Sequence, residues 1–137
     1  MYRSVSLGLF LLPWALRCQP VVVPDSVYFR MTDAAAIQAM RFDMNAYRDT
    51  LRAYREALDV ASMGIDASNA SGEARRSRLG LLRQDLQELD DDRAVLRKRL
   101  KRQGQDRSEC AAQCGLVIAR IRQLRARMAQ EHIRPRR

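Results

Sequence analysis

The sequence predicts an all-α fold: an antiparallel helical hairpin or three-helix coiled-coil bundle, preceded by a signal peptide and an extended arm. Three observations carry this reading. Apolar residues recur at alternating steps of three and four through most of residues 37–128. The chain has only 6 Gly and 4 Pro among 137 residues, too few turn-formers for a strand-rich fold. Its 47% apolar content is enough for a folded core, and its length suits one compact domain or one elongated helical unit rather than a multidomain enzyme.

Residues 1–18 read as an export signal. Arg3 supplies a short basic region, and residues 5–16 (VSLGLFLLPWAL) form an apolar stretch interrupted at Pro13. A membrane-spanning helix needs roughly 20 apolar residues, so this stretch suits a signal better than a span. Cleavage after Cys18 is expected, giving an exported protein, periplasmic or extracellular. A retained segment would instead anchor the chain, and membrane contact is expected only through it. Lipidation of Cys18 is disfavoured because Arg17 stands where a small residue is wanted. Residues 19–32, with Pro20, Pro24 and a run of three valines, read as the extended arm.

The helical domain is expected over 33–131. Its first helix, about 33–61, opens at Thr32 or Asp33 and carries the stripe Ile37, Met40, Met44, Tyr47, Leu51, Tyr54, Leu58 and Ala61. Arg52–Glu56 and Arg55–Asp59 are spaced as i,i+4 pairs along it. Residues 62–72, rich in Gly, Ser, Asn and Asp, predict a turn, and Asn69-Ala70-Ser71 within it is a formal glycosylation acceptor. A second helix, about 74–103, follows with Leu79, Leu82, Leu86, Leu89, Leu96 and Leu100, interrupted only by Arg93. Gly104 then marks a stop, and Asp106 with Glu109 a restart. The third helix, about 107–131, presents Cys110, Cys114, Val117, Ile121, Leu124 and Met128. Residues 132–137 are a basic tail. The stripes are narrow and flanked by Arg, Gln and Asp, which favours a coiled-coil seam over a broad globular face.

Charge decides how the second and third helices relate. The formal charge is +9, yet it is arranged in blocks, with five acids between Asp85 and Asp92 followed by six bases between Arg93 and Arg102. A uniform nucleic-acid-binding face would not carry that acidic block. Folding the chain back about residue 105 brings Leu100 to Cys110, Leu96 to Cys114 and Leu89 to Ile121. It also sets Asp85 level with Arg125, Glu88 with Arg122 and Asp90 with Arg120, pairs that select orientation more than stability. Arg93 would lay its stem against Val117 and send its head to solvent. A hairpin is favoured over one continuous helix, and a parallel in-register dimer would set like charges together.

Candidate chemistry is thin. Cys110 and Cys114 would stand at i,i+4 with Cβ atoms about 5–6 Å apart, whereas a disulfide wants about 3.5–4.5 Å. They read first as small buried apolar residues on the seam. A disulfide to another chain, or half of a metal site shared between two chains, are the rival readings. His132 is the single histidine, and no phosphate-binding, dinucleotide-binding or zinc-protease motif occurs. No catalytic residue, cofactor or metal ligand is assigned. The leading expectation is a non-catalytic structural or adaptor protein acting by helix–helix association with a protein partner or with itself. It looks like the small accessory parts of envelope secretion, conjugation or lysis assemblies, by architecture alone. Nucleic-acid or anionic-surface binding through the Arg-rich third helix and tail is one alternative, and thiol-redox or metal binding through Cys110 and Cys114 is another.

Overall fold

The computed structural model describes Tyr28 and residues 32–136, so the expected signal segment and most of the arm lie outside the described residues. Three helices follow in order: α1 (Asp33–Met63), α2 (Ala70–Leu100) and α3 (Arg107–Gln130). No strand occurs among the described residues.

Each helix starts on a side chain that satisfies an orphan backbone donor. Thr32 has extended backbone, and its hydroxyl accepts from the Ala35 N–H. Asn69 caps α2 by accepting from the Gly72 N–H at 2.6 Å. Asp106 caps α3 by accepting from the Ser108 N–H at 2.9 Å. The first turn is shorter than the expected 62–72, because the Asn69 cap lets the Ala-Ser-Gly run wind as the opening of α2. Gly72 is required there: a Cβ would lie 1.7 Å from the Asp66 carbonyl oxygen. At the second turn, α2 stops at Leu100 rather than 103, and Gly104 takes the left-handed conformation at φ +74 that reverses the chain.

Contacts between helices fix their directions. Arg83 of α2 pairs with Asp59 of α1 near one end, while Arg93 of α2 meets Met44 of α1 towards the other, so α1 and α2 run antiparallel. Arg99–Glu109, Asp92–Arg120 and Asp85–Arg127 form an antiparallel ladder between α2 and α3. Arg107 reaches Asp33 at 3.1 Å, placing the starts of α1 and α3 at the same end. The bundle is therefore up-down-up.

Its core is built from the periodic residues. Leu79, Leu82, Leu86, Leu89, Leu96 and Leu100 of α2 are all buried against Met40, Met44, Leu51, Tyr54 and Leu58 of α1 and the α3 stripe. Burying each leucine contributes about 1.5–3 kcal/mol, so the α2 row is a substantial part of the stabilisation. The buried face is wider at the start of α3, where Ala111, Gly115 and Ile118 join Cys110, Cys114 and Val117. Tyr28 is buried as well. It lies in helical backbone, unlike the extended arm expected there, and its hydroxyl donates to the Asp43 carboxylate at 2.6 Å.

Candidate functional site

The one buried charged residue among those described is Arg93, only 4% exposed. Its seam position aims it at the bundle axis, where α1 covers the path to solvent. The expected route over Val117 to water is therefore replaced by two internal bonds. Nη1 donates to the Met44 carbonyl oxygen at 3.0 Å, and Nε donates to Asp90 at 2.9 Å. Holding Arg93 this way occupies Asp90, which was expected to meet Arg120.

The outer ladder is displaced to match. Arg120 pairs with Asp92, and Asp85 pairs with Arg127 rather than Arg125. Asp85, Asp92 and Arg99 are spaced by seven on α2, as are Arg120 and Arg127 on α3, so one edge of each helix carries the ladder. Arg125 instead faces α1: burial raises the Tyr54 pKa, and the Arg125 charge partly offsets that. Glu88 lies beside Gln84 on its own helix, and Arg122 is exposed. Arg55 and Asp59, read as an intrahelical pair, reach across to Gln87 and Arg83 of α2.

Cys110 and Cys114 are both thiols with no solvent exposure. Burial pushes the Cys110 thiol up, only partly countered by Arg99, so the reactive thiolate is disfavoured. Tyr28 lies near Cys114. Burial, its bond to Asp43 and the negative charge there all raise its pKa.

The last residues are not simply a tail. The His132 N–H donates to the Ala129 carbonyl and the Ile133 N–H to the Met128 carbonyl, both at 3.0 Å, with His132 at φ 59. This is the Schellman arrangement, in which an apolar residue two places beyond the cap folds back onto the helix. Ile133 is buried accordingly. Arg78 holds Glu131 at 2.7 Å, and Arg75 donates to the Glu131 carbonyl at 3.2 Å, tying the C-terminus to the start of α2.

A cleft of about 400 Å³ opens at this end of the bundle. Ala53, Ala57, Val60 and Ala61 of α1 form one wall, and Ile133 contributes the other apolar surface. Arg75, Arg134 and Arg136 stand around it with a single carboxylate, Glu56. The Arg75 Nε is buried with no hydrogen-bond partner among the described residues. Nothing in the local sequence announces this site, because it is assembled from three elements. The only trace is the Ala53, Ala57, Ala61 spacing, which strips bulk from one edge of α1.

No group of three or more potential metal ligands occurs among the described residues, and no described helix is long and apolar enough to cross a membrane. Comparison with protein-family models, curated proteins and solved structures finds no match to this chain.

Proposed function

We propose that the protein is an exported, non-catalytic adaptor acting by coiled-coil association of its helices with a protein partner or a second copy, as an accessory part of an envelope assembly. The observation that carries this reading is the outer edge shared by α2 and α3. Val95 and Leu116 are large apolar residues, 67% and 50% exposed. Each lies one helical turn from the Asp92–Arg120 pair, towards the same end of the bundle, so they stand at one level. Leu81, also exposed, occupies the same edge of α2 two heptads earlier. An apolar row beside a charge ladder is what a further helix recognises: apolar contact gives affinity and the flanking charges give register. Export is supported by residues 5–16 and by the lack of any acid before Asp25. Nucleic acid is the weaker reading, because Arg120 and Arg127 already have acidic partners.

Sedimentation equilibrium of the purified chain in reductant, with and without Val95→Glu and Leu116→Glu together, tests the association. Concentration-dependent dimerisation that the double substitution abolishes at unchanged helicity supports a homotypic contact. If the chain is monomeric, site-specific photo-crosslinking from position 95 in its host should give one discrete adduct. A strict monomer that yields no adduct overturns the proposal.

A further inference from the structure

We infer that the C-terminal cleft is a binding site for a single-chain anionic amphiphile, an aliphatic chain of medium length ending in a carboxylate. Its volume of about 400 Å³ lies within the range of small-molecule sites. Its chemistry is divided as such a ligand requires. Alanine, valine and isoleucine side chains offer an apolar floor, and three guanidiniums stand against one carboxylate at its margin. The excess of guanidiniums over carboxylates in the lining favours an anion over a neutral chain. The Arg75 Nε is buried with its donor unused, a condition costing about 1–3 kcal/mol unless something accepts from it. Arg134 and Arg136 have no ion-pair partner among the described residues, a condition they share with Arg52, Arg76 and Arg122, and what distinguishes them is their place at the margin of an apolar cleft. A planar guanidinium is suited to bidentate recognition of a carboxylate.

The cleft wall is also anchored rather than loose. The Schellman turn fixes Ile133, and Arg75 and Arg78 hold Glu131, so the apolar wall does not have to be ordered by the ligand. The inference is independent of helix association, since the cleft and the Val95–Leu116 edge draw on different residues.

Calorimetric titration of the full chain with monomeric decanoate, beside acetate, decanol and anionic phospholipid vesicles, tests the inference. Saturable one-to-one binding of decanoate is expected, with acetate and decanol weaker by about tenfold or more, since each lacks either the chain or the charge. Arg134→Gln with Arg136→Gln should weaken decanoate about tenfold. Val60→Glu, at an exposed position of the wall, should abolish binding while circular dichroism shows unchanged helicity. Decanoate binding without vesicle affinity supports the single-chain acid; binding to the phospholipid vesicles in preference to decanoate overturns it. Failure of decanoate to bind, or binding indifferent to these substitutions, overturns the inference.

Discussion

The two ends of the bundle use small side chains in opposite ways. At the α2–α3 turn, Cys110, Ala111, Cys114 and Gly115 clear space along α3, and the core there is closed, with Tyr28 buried close by. At the other end, Ala53, Ala57 and Ala61 clear space along α1, and a cleft remains. The difference lies in what covers each small-residue edge. Small residues alone therefore do not make a site. They make room, and the neighbouring chain decides whether it is filled.

The largest effect is expected inside the closed end. Arg93→Ala removes a buried cation and leaves the half-buried Asp90 without its partner, at a cost of about 3 kcal/mol in urea unfolding. Arg93→Met keeps the stem's volume and should fall within about 1 kcal/mol of the parent, since apolar replacements of buried charges are often neutral. A large loss with methionine would show that the bond to the Met44 carbonyl is itself indispensable.

Overpacking should separate the ends next. Cys114→Leu adds bulk where no space exists and should cost about 2 kcal/mol, whereas Ala57→Leu grows into the cleft and should cost less than about 1 kcal/mol. Equal losses at both positions would remove the distinction.

Tyr28→Phe deletes a hydrogen bond to a carboxylate and should destabilise by about 1.5 kcal/mol near neutral pH. The Tyr28 pKa is raised in the folded chain, so its contribution is fully present below the ordinary tyrosine value of about 10 and is lost as pH rises through the folded value. Stability of the parent should therefore fall at alkaline pH more steeply than that of the phenylalanine variant. Parallel alkaline slopes would count against burial of Tyr28. The smallest effect is expected at the exposed ladder, where Asp92→Asn should cost about 0.5 kcal/mol or less and still less in high salt.

Helix existence and the identity of the core were legible in the sequence because they rest on local periodicity. Leu79 to Leu100 and Cys110 to Met128 are buried in the order their spacing implies. Capping at Thr32 and Asp106 was legible for the same reason: each cap bonds within three residues of itself. Long arginine side chains were not. Arg93, Arg55 and Arg127 each choose a partner on another helix, and a chain that long can reach up or down a turn, so spacing alone does not select between Arg125 and Arg127 for Asp85. The end of α3 was hidden by its composition. His132-Ile133-Arg134 reads as a charged tail, and only the left-handed residue followed by a buried isoleucine shows a helix stop. The cleft was hidden because its walls are some eighty residues apart in sequence.

Hydrogen–deuterium exchange along α1, with and without decanoate, tests the contrast between the ends most directly. Without ligand, amides around Met40 and Met44 should exchange more slowly than those around Ala57 and Ala61, because the first group lies under a closed core. Decanoate should slow the second group and leave the first unchanged. Equal protection at both ends, with no change around Ala57 on adding decanoate, would contradict the account.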